Sequence, residues 1–256
     1  MIHSTAIVDP KARVADDVEV GPYSIIGAEV QIGAGTVIGP HVVLRGPTEI
    51  GTGNQIFQFS SIGDIPQDKK FHGESSRLVI GDNNTIRECV TINRGTEGGG
   101  GETRIGDDNW IMAYVHVAHD CRVGDHTVLA NNVALAGHVS IGDYAILGGF
   151  SLIHQFCRIG AYAFTAMGSA VSRDVPPFVT VAGKMSEPRG LNSEGLKRHG
   201  YSTQRIQLIK KAYKLLYKSG LGRGDALEAI QAIPESSTDL DEFVAFVRGS
   251  ERSILR

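Results

Sequence analysis

The sequence predicts an all-β solenoid, a parallel β-helix of hexapeptide repeats, with a smaller α-helical domain at its C-terminal end. Aliphatic residues recur every six positions without a miss from Val8 to Ile62, and the same period returns from Ile105 to Ile159. Neither an α-helix nor an ordinary strand has this period. The chain contains 32 glycines in 256 residues, well above the usual level of about 7%, and aromatic residues make up only 7%. Many turns around a narrow core are typical of a hexapeptide β-helix.

The repeat also predicts which residues meet in space. In such a solenoid each hexapeptide forms one flat face, three hexapeptides form one triangular coil, and the aliphatic residue of each repeat points inward. Residues eighteen positions apart are therefore expected to stack in neighbouring coils, each backbone pairing with the next. The position after the aliphatic residue is often glycine, and small or β-branched residues recur four positions after it.

The repeat is interrupted twice. Acidic residues replace the expected aliphatic ones within 64–77, and 95–104 contains a run of four glycines. We therefore expect loops that leave the coil near these two segments. Loops on a rigid scaffold often carry binding residues.

The last quarter of the chain follows a different pattern. The six-residue period fades after Val171, and three prolines follow before residue 190. We assign residues 1–187 to the β-helix and 188–256 to a helical domain. Apolar residues at helical spacing predict an amphipathic helix near 202–219 and shorter helices over Asp225–Ile233 and Asp239–Arg248, the last with Thr238 as a possible N-cap.

Composition narrows the function classes. The net charge of −3 gives no general electrostatic reason to bind nucleic acid. No stretch approaches the ~18 apolar residues of a membrane span, and the N-terminus lacks the basic and apolar regions of a signal peptide. Three cysteines argue against a disulfide framework and favour a reducing compartment. We therefore expect a cytoplasmic protein without an integral membrane segment, in which Cys121 and Cys157 are core residues.

Histidines cluster in the second half of the repeat. Five of the nine lie within 39 residues, at positions 116, 119, 126, 138 and 154. The eighteen-residue step places His119, Gly137 and Gln155 in one column, with His138 and His154 beside it. A solenoid could also carry histidines simply as surface residues, but the column favours a catalytic patch.

This patch has the parts that acyl transfer requires. A neutral imidazole can remove a proton from an alcohol, and a backbone N–H can stabilise the oxyanion that forms on a thioester carbonyl. Glycine suits the second role because no side chain blocks the approach. Asp120 could orient the His119 imidazole, but neighbouring strand residues usually point to opposite sides, so contact between them is not the favoured arrangement.

The same histidines could instead bind zinc, as in the γ-class carbonic anhydrases, which share hexapeptide repeats. His116 and His119 would supply two ligands, with His138 or a neighbouring subunit as the third. No acidic network suited to orienting metal ligands accompanies them. We therefore expect neither a metal nor another cofactor.

Four sequence blocks point to a known family. They are HVAHDC (116–121), LAGHV (135–139), HQFC (154–157) and NSEGLKR (192–198). In this order they resemble the UDP-N-acetylglucosamine acyltransferases over essentially the whole chain, including the helical tail. The resemblance implies a left-handed β-helix, a homotrimer with active sites between neighbouring prisms, and the first step of lipid A biosynthesis. In that step a 3-hydroxyacyl group passes from acyl carrier protein to the 3-OH of UDP-N-acetylglucosamine.

The resemblance also implies residue roles. His119 would be the general base, with Asp120 beside it, and the Gly137 N–H would bind the oxyanion. Positions that match substrate contacts are Gln67, Asp68 and Lys70 on the first loop, His116, His138, His154 and Gln155 in the pocket, and Asn192, Glu194 and Arg198 at the nucleotide end.

Met167 stands where the family places the floor of the acyl pocket, at a site expected to point inward. Glycine at that site would admit longer chains. Each buried CH₂ contributes about 0.8 kcal/mol, so excluding four of them costs about 3 kcal/mol. We therefore expect a preference for chains of about ten carbons over fourteen. The alternative is a methionine that merely fills the core.

The chain departs from the family pattern in two places near the nucleotide end. His199 stands where a second arginine is common, and Lys184-Met185 replaces an asparagine-containing pair. Seven basic residues of the tail could dock the acidic carrier protein, or they could simply form the solvent-facing side of the tail. They are Lys197, Arg198, Arg205, Lys210, Lys211, Lys214 and Lys218.

Two other functions fit parts of the pattern. A related sugar-nucleotide acetyltransferase would use acetyl-CoA in place of the carrier protein. A non-catalytic solenoid scaffold would need only the repeat. The concentration of polar residues in two loops and one column argues against the scaffold.

Overall fold

The computed structural model describes residues 1–235 and 237–256, which form a long solenoid followed by a short helical region. Most strands are only two residues long, as expected for a chain that turns every few residues. Within the described residues the strands are β1 (Ile7–Val8), β2 (Arg13–Val14), β3 (Glu19–Val20), β4 (Ile25–Ile26), β5 (Val30–Ile32), β6 (Val37–Ile38), β7 (Val43–Leu44), β8 (Thr48–Ile50), β9 (Gln55–Ile56), β10 (Ser61–Asp64), β11 (Arg77–Ile80), β12 (Thr85–Ile86), β13 (Thr91–Asn93), β14 (Glu102–Ile105), β15 (Trp110–Ile111), β16 (His116–Val117), β17 (Arg122–Val123), β18 (Val128–Leu129), β19 (Ala134–Leu135), β20 (Ser140–Ile141), β21 (Ile146–Leu147), β22 (Leu152–Ile153), β23 (Arg158–Ile159), β24 (Phe164–Thr165), β25 (Ala170–Val171), β26 (Val179–Ala182) and β27 (Glu187–Leu191).

The strands form three sheets, one for each face of a triangular prism. Sheet A runs from β3 to β27, sheet B from β1 to β25 and sheet C from β2 to β23, and each takes every third strand of the repeat. Pairing is parallel except between β26 and β27. In the first coils Ile7 pairs with Ile25 and Val8 with Ile26, a step of eighteen residues. The predicted coil of three hexapeptides is confirmed.

The inward positions of the repeat form one continuous apolar core. The repeat's aliphatic residues from Val20 to Ile159 are at most 4% exposed, whereas Val8 and Val14 at the open N-terminal end are partly exposed. Cys121 and Cys157 are free and fully buried, as predicted. Because each coil covers the apolar surface of the next, stability comes from stacking.

A ladder of buried asparagines runs through this core. Asn54, Asn84 and Asn109 occupy the position four residues after the inward aliphatic one in successive coils. The Asn84 N–H donates to Asn54 Oδ1 at 2.9 Å, and the Asn109 N–H donates to Asn84 Oδ1 at 2.9 Å. The ladder pairs backbone groups that would otherwise be buried without a partner.

Glycine–aspartate pairs hold the coils together at the corner between sheets C and A. The Asp82 N–H donates to Asp107 Oδ1 at 2.7 Å, and the Asp107 N–H donates to Asp125 Oδ1 at 2.8 Å. A Cβ on Gly106 would overlap the Asp125 carboxylate and lie 2.8 Å from the Gly124 carbonyl oxygen. Glycine is therefore required where the carboxylate of the next coil approaches the backbone.

Non-glycine residues with positive φ turn the chain at each corner. At the corner between sheets B and C they are Glu29 (φ 58°) near the N-terminal end and, in three successive coils, Asp120 (φ 60°), His138 (φ 62°) and Phe156 (φ 64°). Backbone hydrogen bonds stack this corner: the His138 N–H donates to His119 O at 3.0 Å and the Phe156 N–H to Gly137 O at 3.1 Å. Three aligned turns therefore project their side chains along one edge of the prism.

Both loops leave the coil at this same edge, where sheet B connects to sheet C. The first spans 65–76, between β10 and β11, and the second spans 94–101, between β13 and β14. The second loop contains a 3₁₀ turn over Glu97–Gly99. It ends earlier than the expected residue 104 because Glu102–Ile105 pairs with β11.

The C-terminal part begins with a hairpin rather than with helices. β26 and β27 pair antiparallel, and β27 spans the boundary that we place at 187/188. Four helices follow within the described residues: α1 (Ser193–Arg198), α2 (Thr203–Tyr217), α3 (Arg223–Gln231) and α4 (Thr238–Arg248). None of them has the length and apolar content needed to cross a membrane.

Three of these helices match the helical periodicity of the sequence. The predicted stripe of Ile206, Ile209, Tyr213 and Leu216 is the buried face of α2. The expected N-cap of α4 is wrong: the Ser237 hydroxyl accepts the Asp239 N–H at 3.2 Å, because Thr238 is already inside the helix. The short α1 was not predicted.

Replacing Gly106 by alanine tests the close approach of the coils. The added Cβ overlaps the Asp125 carboxylate, so we expect the free energy of unfolding to fall by about 1–3 kcal/mol, the usual range for an overpacked interior. Urea unfolding at a fixed protein concentration measures the change. Gly224→Ala in α3 is the matched control, because within the described residues its Cβ would have no neighbour within 4 Å apart from its own helix backbone and adjacent residues. Equal stability of the two variants would contradict this interpretation.

Candidate active site

The candidate site lies at the edge between sheets B and C. His116 is the first residue of β16 in sheet B, and His119 and Asp120 form the turn that leads to β17 in sheet C. His138 occupies the corresponding turn one coil further on, and its ring meets the His119 ring edge to face with 5.1 Å between centroids. The repeat therefore brings residues of successive coils into one cluster.

His119 and Asp120 are in direct contact, which corrects the expectation that they point to opposite sides. His119 Nδ1 lies 2.7 Å from Asp120 Oδ2. Strand alternation does not apply here because Asp120 has a positive φ of 60° and belongs to the corner turn. A carboxylate can only accept hydrogen bonds, so Nδ1 carries the proton and Nε2 is free to accept one.

Asp120 is buried and held on both oxygens. Its side chain is 1% exposed. The Thr96 N–H donates to Oδ1 at 2.8 Å, and the Thr96 hydroxyl donates to Oδ2 at 2.7 Å. The Asp120 N–H donates to Thr103 Oγ1 at 2.8 Å. Hydrogen bonds to a buried carboxylate offset the cost of removing its charge from water.

Gly137 lies against the His119 ring, as the eighteen-residue step predicts. A Cβ on Gly137 would lie 2.6 Å from His119 Cε1 and 2.7 Å from Nε2, so only glycine fits beside this imidazole. The Gly137 carbonyl accepts the Phe156 N–H, whereas the Gly137 N–H donates to no acceptor among the described residues. A free donor thus lies next to a free acceptor nitrogen.

His116 and His138 border this pair. His116 Nδ1 lies 2.7 Å from Thr91 Oγ1. Burial, helped by the nearby His119, lowers the pKa of His116. Burial also lowers the pKa of His138, although the Asp120 carboxylate acts in the opposite direction, and the His138 ring stacks on Phe156 at 4.4 Å. Both rings are therefore neutral near pH 7.

These lowered pKa values have a consequence for stability. An unfolded histidine takes up a proton near pH 6.5, whereas His116 and His138 resist protonation in the fold. Above that pH both states carry neutral histidines, so the two residues make their whole contribution to the free energy of unfolding. It is lost as the pH falls through the lowered folded values.

The first loop forms one wall of a depression beside His138. The depression has a volume of about 710 Å³, and its lining includes Asp68, Lys70, His138 and Phe156. Asp68 Oδ1 accepts the Lys70 N–H at 3.0 Å, which fixes this part of the loop. Gln67 is exposed on the same loop. Asp68 and Lys70 therefore lie at the candidate site, and Gln67 precedes them in the chain without lining the depression.

An apolar depression of about 490 Å³ lies on the outer face of sheet B. Its floor is formed by small and aliphatic residues of successive coils, including Ala134, Leu152 and Ala170, and His116 and His154 line it as well. His154 and Gln155 are exposed, and His154 Nδ1 lies 3.1 Å from the Gln155 carbonyl oxygen. This surface suits a hydrocarbon chain.

The expectation that Met167 points inward is wrong, and so is the alternative that it fills the core. Its side chain lies in the turn after β24 and is 83% exposed. The inward residues of this coil are Thr165 and Ser169, both fully buried. Met167 can therefore close an acyl pocket only on the surface of the prism.

The three residues of the predicted nucleotide end lie together at α1. Asn192 caps this helix, since its Oδ1 accepts the Gly195 N–H at 3.1 Å while its Nδ2 donates to Tyr162 O at 3.0 Å. Glu194 pairs with Lys197 at 2.8 Å. Arg198 is exposed. The structure thus places these residues on the helical domain rather than in the histidine cluster.

A metal at the histidine cluster would have to compete with the hydrogen bonds that the Asp120 carboxylate accepts. In the part of the chain that the structure describes, donor atoms of His119, Asp120 and His138 lie within 4.8 Å of one another. The Asp120 oxygens already accept bonds from Thr96 and His119. This arrangement fits an acid–base pair better than a zinc site, and the expectation of no metal stays a prediction.

Sequence reasoning missed the two threonines that hold the histidine cluster. Thr91 contacts His116, and Thr96 contacts Asp120. Thr91 precedes an inward isoleucine and therefore reads as an ordinary strand residue. Thr96 lies in a loop, where the repeat gives no positions.

Comparison with known proteins decides the family. A family model described as UDP N-acetylglucosamine O-acyltransferase, domain 2, matches residues 174–255. A second family model, described as bacterial transferase hexapeptide (six repeats), matches residues 102–137. The acyl-[acyl-carrier-protein]–UDP-N-acetylglucosamine O-acyltransferase of Halorhodospira halophila is 57% identical over 100% of this chain and 99% of its own. The chain belongs to the UDP-N-acetylglucosamine O-acyltransferase family. It is an acyltransferase.

Solved structures of UDP-N-acetylglucosamine acyltransferases match this chain closely. LpxA from Acinetobacter baumannii has a TM-score of 0.97 and 47% identity, covering 100% of this chain and 99% of that one. The acyltransferase of Francisella novicida has a TM-score of 0.98 and 46% identity, covering 100% of this chain and 94% of that one. The predicted fold class, a left-handed parallel β-helix with a C-terminal helical domain, is confirmed.

The shielding of His138 in this acyltransferase can be tested through its stacked partner. Replacing Phe156 by alanine opens the imidazole to water, so we expect the pKa of His138 to rise toward the ordinary value of about 6.5. NMR titration of the histidine ring protons measures the shift. Phe59→Ala is the matched control, because Phe59 stacks on a different histidine, His41, at 5.4 Å. An unchanged His138 pKa in Phe156→Ala would show that the ring does not shield it.

Proposed function

We propose that this acyltransferase moves an (R)-3-hydroxyacyl chain from acyl carrier protein to the 3-OH of UDP-N-acetylglucosamine, the first step of lipid A biosynthesis. The names of the relatives supply both substrates. One structural observation supports the chemistry. The His119 ring is bound to Asp120 through Nδ1 and lies beside Gly137, whose N–H is unpaired in the described chain. A base and an oxyanion donor are thus adjacent.

In the proposed reaction the sugar 3-OH attacks the thioester carbonyl while His119 Nε2 accepts its proton. A C–O bond forms, and the Gly137 N–H stabilises the negative charge that develops on the carbonyl oxygen. The C–S bond then breaks, and the imidazolium returns the proton to the departing thiolate. Asp120 stabilises the imidazolium and fixes the tautomer, so the cycle balances without a metal or another cofactor.

The surroundings of the pair suggest where each substrate binds. The depression lined by Asp68, Lys70 and His138 is polar and suits the sugar. The apolar depression on sheet B suits the acyl chain. His116 lines the acyl side and His138 the sugar side, so the two bound groups would meet at His119.

The helical tail offers a basic surface for the acidic carrier protein. Seven basic residues of the tail are candidates for this surface, and three of these are neutralised within the tail: Lys197 by Glu194, Arg205 by Asp239 and Lys211 by Glu235. The other four form no ion pair within the described residues, and they are Arg198, Lys210, Lys214 and Lys218. We propose that these four attract the carrier, since charge complementarity mainly accelerates encounter.

We also propose that the protein is a cytoplasmic homotrimer. The outer faces of sheets A and B expose large apolar side chains, including Ile7 (63%), Trp110 (45%) and Leu152 (55%). Exposed apolar patches mark protein interfaces. Sheet C instead presents charged residues such as Arg104 and Arg122 and suits contact with water.

Replacing His119 by alanine removes the proposed base. We expect turnover of 3-hydroxyacyl carrier and UDP-N-acetylglucosamine to fall by about 10²–10⁴-fold, the usual contribution of a positioned base, with the oligomer intact. Mass spectrometry of the product and ultracentrifugation measure the two outcomes. His126→Ala is the matched control, since His126 stacks on Tyr144 at the corner between sheets C and A. Substantial activity in His119→Ala would contradict general-base catalysis by this residue.

Replacing Met167 by glycine tests the chain-length preference. Because Met167 is exposed on a single prism, it can limit the acyl chain only where a neighbouring copy covers it. We expect the ratio of C14 to C10 transfer to rise by up to about 100-fold, as four recovered CH₂ contacts imply. Competing carriers of both lengths, read by mass spectrometry, measure the ratio.

Met167→Leu preserves most of the side-chain volume and serves as the control. It should retain the preference for about ten carbons. An unchanged ratio in Met167→Gly would remove the methionine as a determinant of chain length.

A further inference from the structure

The second loop folds back over the Asp120 carboxylate. Thr96 begins the 3₁₀ turn Glu97–Gly99, yet its side chain does not cap that turn. Its hydroxyl donates instead to Asp120 Oδ2 at 2.7 Å, and its N–H donates to Oδ1 at 2.8 Å. One residue of a surface loop therefore engages both oxygens of a buried carboxylate.

The same loop also closes the space above Asp120. A Cβ on Gly99 would overlap the Asp120 carboxyl group, so the backbone of the turn rests directly against it. With this cover the Asp120 side chain is 1% exposed, while the His119 side chain that it contacts is 14% exposed. The loop thus excludes water from the carboxylate and leaves the imidazole open to a substrate.

We infer that Thr96 is a positioning residue for the His119–Asp120 pair. The 94–101 loop is then a clamp, which determines how strongly the Asp120 carboxylate stabilises the protonated His119 imidazole. This inference rests on the proposed function, in which His119 is the base. Thr96 also borders the depression that we assign to the sugar, but its hydroxyl is bound to Asp120. It acts through Asp120.

Thr96 and His119 share the two oxygens of the Asp120 carboxylate. Oδ2 accepts from both the Thr96 hydroxyl and His119 Nδ1, whereas Oδ1 accepts from the Thr96 N–H. Each donor withdraws part of the negative charge that would otherwise stabilise an imidazolium. Two bonds from one residue also prevent rotation of the carboxylate, which keeps Oδ2 directed at Nδ1.

Other titratable groups surround the pair, and Thr96→Val leaves the charge of each unchanged. Lys70, His72, Glu74 and Glu97 line the depression beside His138. His116 and His138 lie close enough to His119 for their pKa values to be lowered by it. Asp68 faces His138 from the first loop. Thr103 accepts the Asp120 N–H and holds the backbone without touching the carboxylate. Removing the Thr96 hydroxyl therefore changes one donor to Oδ2 and no charge.

The experiment is an NMR titration of His119 in the full-length protein carrying Thr96→Val, Thr96→Ser or Asp120→Asn. Valine keeps the shape but removes the hydroxyl, so Oδ2 becomes a stronger partner and we expect the His119 midpoint to rise by about 0.5–1 pH unit. Serine retains the donor and should restore the original midpoint. Asparagine removes the charge and should move the midpoint downward.

Kinetics provide a second readout. Thr96→Val should lower kcat by about tenfold with little change in KM and shift the acid limb of the pH–rate profile to higher pH, since Nε2 must be unprotonated to act. A purely structural threonine would lower the unfolding midpoint without moving either titration. A His119 midpoint that is the same in Thr96→Val, Thr96→Ser and the parent protein would overturn the inference.

Two adjacent glycines test the cover independently. Gly99→Ala places a methyl group against the Asp120 carboxyl and should displace it, so the His119 titration should change. Gly98→Ala is the matched control, because within the described residues its Cβ would meet nothing within 4 Å beyond its own turn, and it should leave that titration unchanged. Because the titration needs no substrate, a shift without any acyl transfer would refute the proposed function and retain the clamp.

Discussion

Backbone pairing between coils at a step of eighteen residues is the constraint on which the rest of the structure depends. A strand of two residues has too few hydrogen bonds to exist alone, so each is held by the coils on either side. This stacking leaves no room for a Cβ wherever a side chain of the next coil meets the backbone. Gly106 admits the Asp125 carboxylate and Gly137 admits the His119 ring. The same requirement therefore produces a structural contact in one place and, in the other, the contact between His119 and Gly137 on which the proposed mechanism rests.

The corners add a second constraint, because the chain must turn with positive φ even where the residue is not glycine. Such a conformation is unfavourable for an ordinary residue by roughly 1–2 kcal/mol, and the hydrogen bonds from both neighbouring coils hold it in place. At the edge between sheets B and C this conformation turns Asp120 back toward His119. The contact between His119 and Asp120 is thus a product of the solenoid geometry and needs no specialised turn.

The eighteen-residue step explains which parts could be predicted from the sequence. It predicted the core and the contact between His119 and Gly137, because both depend on counting alone. It did not predict the contact between His119 and Asp120. Side chains alternate along a strand, but these two residues lie in a corner turn, where that rule does not hold. The inward position of Met167 was predicted from the family resemblance alone, whereas the six-residue repeat makes Thr165 the inward residue of this coil. The helix α1 is too short to show a helical period.

The two loops leave the prism at one edge but have different roles. The first is largely exposed and lines much of the depression that suits the sugar, which the second loop borders as well. The second is fastened to Asp120 through Thr96 and contributes fixed donors to a buried charge. In the proposed reaction the base must act at the same position in every cycle, so it gains from a neighbour that is held by hydrogen bonds. The edge between sheets B and C is suited to a site because both kinds of loop start there, next to the turn that carries His119.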